Sequence, residues 1–404
     1  MSNAPDTSGQ LHRASSPGVS GAGFSLILAL FASGRLMLLL AFPPENLITY
    51  GDYQHYFNLA SLTERGFYPF LHYWYEFPPI FPYLNIAVYT VAGGALKNYI
   101  ILLALVLLVV ECANLFLLYR LAALLYGRGR AVTTAWIYTA LFVPVFFWLG
   151  NFDALTTFFV LLGLYALLRE KHRLLAAALG VGAMVKVVPV LLLAPLWRLR
   201  GLKITLIYAA AIVIIGLLFF GPFLAASPQL TLASMQAQAR KSSYQTVWAL
   251  LDGNYTTGNF GPISDHFEAE KATIPVNNPP VIPTWLTLIP FAALGLFVLT
   301  RPRRLADSRL DAVIFTAFTF VLFFLWSQGW SPQWQTFLIP LVLLALPLNR
   351  AVMFVLVLGF INFLEWPVIL SRGMNQLLSL TIAARTLVLL LLAWELFQRL
   401  KAKG

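Results

Sequence analysis

The sequence predicts an all-α, polytopic transmembrane helical bundle, and three observations predict it. Hydrophobic residues make up 59% of the 404-residue chain and charged residues only 11%, whereas a soluble domain carries about 25% charged residues. The mean hydropathy is +0.77. The apolar residues are also gathered into runs of roughly 15 to 25, long enough to span or nearly span the hydrocarbon layer as helices with internally satisfied backbones. The net charge of +11 does not imply nucleic acid. Its basic residues sit in short clusters between apolar runs, as in a multispan protein oriented by its cytoplasmic loops, so the expected partner is the lipid bilayer. The single cysteine, Cys112, lies inside an apolar run, which excludes a disulfide framework and a thiolate metal site.

In chain order, residues 1–22 are Ser/Gly/Pro-rich with one Arg and read as a disordered cytoplasmic tail. Gly23–Phe42 is the first span. No small-residue cleavage pattern follows it, so it reads as a retained helix rather than a cleaved signal. Further runs are Asn98–Leu121, Ala131–Leu149, Phe152–Leu168, Leu174–Trp197, Ile204–Gly221, Thr284–Thr300, Asp311–Trp326, Trp334–Leu348, Ala351–Leu370 and Leu377–Phe397.

Orientation comes from the charges. Arg13, Arg120/Arg128/Arg130, Arg169/Lys171/Arg173, Arg198/Arg200/Lys203, Arg301/Arg303/Arg304/Arg309, Arg350 and Arg399/Lys401/Lys403 hold 18 of the 27 basic residues in short connections. Positive-inside logic makes these cytoplasmic and puts the two long, base-poor stretches outside. Pro79–Gly94 is apolar enough to be a span, but counting it would turn Arg128 and Arg130 outward, so it reads as an interfacial helix of the first outer loop. Leu174–Trp197 has basic clusters at both ends and reads as a short hairpin turning at Lys186 and Pro189. The result is a single integral-membrane domain, 23–404, of about twelve segments with both termini cytoplasmic. Outer loops lie at 43–97 and 222–283 and bear short interfacial helices.

Ionisable residues at mid-membrane are few: Arg35, Glu111, Lys186, Glu365 and Arg385. A lipid or sugar carrier or flippase would concentrate such groups along a path, so an enzyme at the outer surface is the better reading. The first loop begins Gly51-Asp52-Tyr53-Gln54-His55-Tyr56, and residues 67–89 hold ten aromatics with His72, Trp74, Glu76 and four prolines. In a helix, Asp52, His55 and Tyr56 share one face. A carboxylate at a lipid boundary beside aromatic rings suits a general base of tuned pKa, and aromatic faces suit sugar rings. The plain structural alternative is an interfacial aromatic belt with Asp52 as a helix N-cap.

The order of a span with an outer Arg, GDY…Y, ERGFYPF and YEFPP resembles the start of GT-C superfamily glycosyltransferases. The nearest branch is the polyprenol-phosphate-mannose-dependent mannosyltransferases of glycosyltransferase family 87 type. Gly150-Asn151-Phe152-Asp153, Gly180-x-Gly182…Lys186-x-x-Pro189 and Ser331-Pro332-Gln333-Trp334 extend the resemblance over most of residues 24–345. It implies an inverting transfer of a sugar, mannose first, from a polyprenyl-phosphate donor to a hydroxyl of a membrane-associated acceptor, a glycolipid first, outside the plasma membrane. Arabinosyl or protein O-glycosyl transfer are the variants of that expectation. Asp52 matches the first-loop acid that serves as catalytic base. Where many relatives have Asp-x-Asp, this chain has Asp52-Tyr53-Gln54, so metal-independent transfer without a cofactor is expected.

Arg35 and Lys186 are the expected contacts of the donor phosphate, with snorkelling or pairing to Glu111 or Glu365 as their alternative. His55, Tyr56, His72, Trp74, Glu76, Asp153, Arg240 and Gln333 are the expected sugar or acceptor contacts. Asp153 has helix capping as its alternative and His55 an orienting role toward Asp52. Arg240 and Lys241, expected near anionic headgroups, belong to a second loop read either as the acceptor-side lid or as a plain surface loop. Glu111 and Arg385 are expected to pair within the membrane as structural groups.

Overall fold

The computed structural model describes residues 22–49 and 51–401. The expected tail therefore lies outside the described residues, apart from Ala22, which begins the first helix. The described chain is helical, with two isolated β-bridges and no named strand. Among the described residues, six helical stretches are long and apolar enough to cross a membrane: Gly23–Ala41, Leu96–Tyr126, Leu202–Ala226, Ser308–Trp326, Leu348–Leu370 and Asn375–Lys401. A seventh forms if Arg128–Ala140 and Phe142–Trp148, bent by 56°, count as one span. Leu141 at that bend is extended, and Pro144 has no N–H to give to the carbonyl of Ala140.

The other expected runs are apolar helices too short to cross alone. Asp153–Leu168 and Thr284–Thr300 have 16 and 17 residues. Gln335–Ala345 has 11, all of them buried. A helix apolar on every side need not meet lipid; this one is an interior strut of the bundle. Leu174–Trp197 resolves into His172–Ala183, a 3₁₀ turn at Val188–Leu192 and Leu193–Arg200. Its break falls at Met184–Val187, where the sequence puts the turn.

Outward-facing helices invert the soluble pattern. Leu202–Ala226 buries only Thr205, Tyr208 and Phe220, and Thr284–Thr300 only Thr287 and Val298. Their leucines, isoleucines and valines face outward, as expected where the solvent is hydrocarbon.

Two buried acids inside the bundle, Glu365 and Glu111, are matched locally. Arg385 pairs with Glu365, on the π-helical turn Leu364–Leu370, and also donates to the Gln245 carbonyl. Glu111 instead accepts from Asn114 (3.1 Å) and Tyr138 (3.4 Å). The expected Glu111–Arg385 pair is thus not formed: Arg385's nearest acid sits on the helix that packs beside its own.

The two long loops form one body. Trp74 of the first stacks on His266 of the second with ring centroids 3.9 Å apart. Its indole Nε1–H donates to the carbonyls of Asp265 and Glu268 at 3.0 and 3.1 Å. The Tyr75 amide donates to Ser234 Oγ at 2.9 Å.

Candidate active site

Gly51 and Gly150 lie with their backbones in direct contact, and a Cβ on Gly51 would overlap Gly150 Cα. Gly150 also has φ +88°, a conformation that favours glycine. This close approach lets the Asp52 amide donate to the Gly150 carbonyl at 2.7 Å. Two glycine-led motifs about a hundred residues apart are thereby locked together, setting Asp52 and Asp153 on the rim of one cavity.

That cavity is about 230 Å³ and is walled by both outer loops, the 184–187 break and the Ser331–Trp334 segment. Asp52 stands at the N-cap of the helix Tyr53–Ser61, yet its side chain makes no capping bond. It accepts a hydrogen bond from Tyr56 Oη at 3.2 Å. The carboxylate is open to the cavity while the cavity walls enclose it. Burial therefore pushes its pKa up, opposed by the charges of His55 and Lys241 and by the Tyr56 hydrogen bond.

His55, one turn on, shares a 3.2 Å hydrogen bond with Glu76. Burial alone would lower the imidazole pKa, but Glu76 and then Asp52 raise it. Burial likewise opposes ionisation of Glu76, yet His55 and His266 hold it at about 2. Asp153, the first residue of its helix, makes no cap bond from that end and instead takes Lys186 Nζ at 2.8 Å. Lys186 lies 5.3 to 5.7 Å from the ring centroids of Phe77, Phe152 and Trp334.

Of the residues singled out from sequence, Asp52, His55, Tyr56, Glu76, Asp153, Lys186 and Gln333 meet at this cavity. Four do not. Arg35 is buried against the ring of Phe31 (3.5 Å to its centroid) and donates to the Phe31 carbonyl, on the Glu111 side of the bundle. A cation inside a span is held by protein when its helix turns it inward, and Arg35 does not line the cavity. His72 closes a local turn, its Nδ1 accepting from the Tyr68 amide at 3.0 Å. Trp74 is used up in the loop-to-loop stack. Arg240 is exposed.

Lys241 takes the place expected of Arg240. Its helix, Pro228–Arg240, ends at Arg240, and Lys241 has ψ 138°, so the backbone becomes extended and adjacent side chains diverge. Tyr244, Gln238 and the 257–261 segment also line the cavity. Their signal in the sequence is only the punctuated, aromatic character of the second loop. Gln54, where relatives would carry a second acid, bonds Asn58 at 2.9 Å on an exposed face and does not line the cavity.

No curated protein matches the chain significantly. Among solved structures, the apo form of the Archaeoglobus fulgidus oligosaccharyltransferase is similar over 96% of this chain and 57% of that one, with 13% identity and a TM-score of 0.45. This chain thus spans little more than half of that protein's length. A family model, glycosyltransferase family 87, matches residues 78–327, which include Asp153, Lys186, Lys241 and Tyr244 and begin just after Glu76. The match covers well over half of the sequence, and the protein belongs to glycosyltransferase family 87.

Proposed function

We propose that this membrane protein transfers a sugar, mannose first, from a polyprenyl-phosphate donor to a hydroxyl of a membrane-associated acceptor, glycolipid first, with inversion at the anomeric carbon. The observation that carries this reading is Asp52: a carboxylate free of capping and ion-pair duties, open to an enclosed cavity that also holds cations. In the proposed step Asp52 takes the acceptor hydroxyl proton as that oxygen bonds to the anomeric carbon. The bond from that carbon to the phosphate oxygen breaks, and the polyprenyl phosphate departs with the electron pair. One carboxylate is enough, because the phosphate needs no protonation to leave, unlike the sugar alcohol released by a glycosidase.

The basic clusters support a topology with both termini cytoplasmic and about twelve segments, short and broken ones included. That topology puts the cavity on the outer face of the plasma membrane. The pairing of Glu365 with Arg385 and of Glu111 with Asn114 and Tyr138 disfavours a carrier, which needs accessible charges along a path. The single carboxylate at Asp52-Tyr53-Gln54 supports transfer without a metal or other cofactor. The test is radiolabelled sugar transfer by purified protein in nanodiscs with excess EDTA. Polyprenyl-phosphate mannose should label a lipid acceptor at undiminished rate. Transfer only from nucleotide sugars, or strict loss in EDTA, would refute the donor or the metal claim respectively.

A further inference from the structure

Six ionisable side chains carry the charge of the cavity: Asp52, Glu76, Asp153, His55, Lys186 and Lys241. Four of them are bonded in pairs, Glu76 with His55 at 3.2 Å and Asp153 with Lys186 at 2.8 Å. Two are left over: Asp52, which has only the Tyr56 hydroxyl, and Lys241, which has no ion-pair partner among the described residues. Instead its ammonium lies 4.2 Å from the ring centroid of Phe260 and 4.6 Å from that of Tyr244. Aromatic faces hold a cation in place without neutralising it. The room for this cradle comes from Gly258, where a Cβ would stand 2.6 Å from Lys241 Cε and 2.5 Å from the Tyr244 ring. Tyr244 is itself fixed, its amide and carbonyl bonded to Gln328 and Trp330 at 3.1 and 3.0 Å.

We propose that Lys241 is the anion seat of the cavity, the group that first takes the donor's phosphate, while Lys186 is a wall residue already matched by Asp153. The inference rests on the phosphate-donor reading above and assigns its leaving group. The cavity then has one uncompensated base for the acceptor and one uncompensated cation for the phosphate. Burial supports the assignment in a second way: it lowers the Lys241 ammonium pKa to about 8, with Glu76 and Asp52 opposing. A cation this desolvated gains by receiving an anion.

The test measures binding of a short-chain polyprenyl phosphate, and of the matching polyprenol, to the full-length protein in nanodiscs. Lys241→Met should weaken phosphate binding about 10- to 100-fold, the scale of one lost charge-assisted hydrogen bond. Polyprenol binding should be unchanged, and Lys241→Arg should restore much of the loss. Equal phosphate affinity in wild type and Lys241→Met would overturn the proposal. The wild-type protein supplies an arm free of any folding defect: its phosphate affinity should fall as pH rises beyond about 8, and a flat profile to pH 10 would overturn it equally. Asp52→Asn should bind polyprenyl phosphate normally while losing transfer. A Lys241-dependent affinity for nucleoside diphosphates with none for polyprenyl phosphate would keep the anion seat and sink the lipid donor.

Discussion

Two acid–base sites in this molecule, one buried in the bundle and one opening on the cavity, are built in opposite ways. Between the Leu193–Arg200 and Ser308–Trp326 helices, Arg198 grips Asp311 through two hydrogen bonds of 2.7 and 3.0 Å and gives a third, of 2.7 Å, to the Val298 carbonyl. Both side chains are at most 2% exposed. In the cavity, Asp52 and Lys241 share space without pairing, and each is held by aromatic or backbone neighbours instead. The first arrangement satisfies its charges fully and leaves nothing to offer a ligand. The second keeps one base and one cation unsatisfied, which costs desolvation in the free protein and is relieved when substrate arrives. Functional charge is recognised here by what it is not bonded to.

That contrast can be broken from either side. Asp311→Ala leaves a buried guanidinium unmatched and should destabilise the fold by about 3–5 kcal/mol. Denaturant or thermal unfolding in detergent checks this, and an unchanged midpoint would remove the distinction. Gly51→Ala should leave the fold standing but push the Asp52 turn off Gly150, lowering turnover about 100-fold, the scale set for a misplacement of about 1 Å; near-normal kcat would show that the glycine contact is not what positions the base.

Glu76→Gln sharpens the electrostatics. Without the carboxylate the His55 pKa loses the largest influence that raises it, and His55 then does less to lower that of Asp52. Asp52 must be ionised to accept a proton, so activity rises as pH rises through its pKa. The acid limb of kcat/KM should therefore move to higher pH in the variant. The groups facing Asp52 are His55, Tyr56, Lys241 and Asp153, and a limb that stays put would mean His55 has no part in setting it. Smallest of all, Arg240→Ala should change transfer less than about twofold, since an exposed side chain away from the cavity contributes little; a tenfold loss would return Arg240 to the acceptor side.

Much of this was readable in one dimension. Long apolar runs predicted the helices, because only helices hide their backbones in lipid, and the 184–187 break was announced by Lys186 and Pro189. Composition could not separate a span from an interior strut: Gln335–Ala345 is about as apolar as the spans but is enclosed by its neighbours. Asp52, His55 and Tyr56 were legible as one helical face. Their relation to Glu76, Asp153 and Lys186 came only as a resemblance in motif order, since it depends on two backbones touching at Gly51 and Gly150. Trp74, expected among the sugar contacts, lies stacked on His266, and nothing local in the sequence tells a free ring from a stacked one. Arg240 and Lys241 are neighbours of equal charge, and which one turns inward is decided by where the helix ends.

The most direct test is transfer by Asp52→Asn at saturating polyprenyl-phosphate donor, in protein that still binds the donor's phosphate as wild type does. Loss of general-base catalysis should lower turnover by about 10²–10⁴, with the remaining rate no longer showing an acid limb. Turnover within a few-fold of wild type would mean that Asp52 is a helix terminus and that the base lies elsewhere.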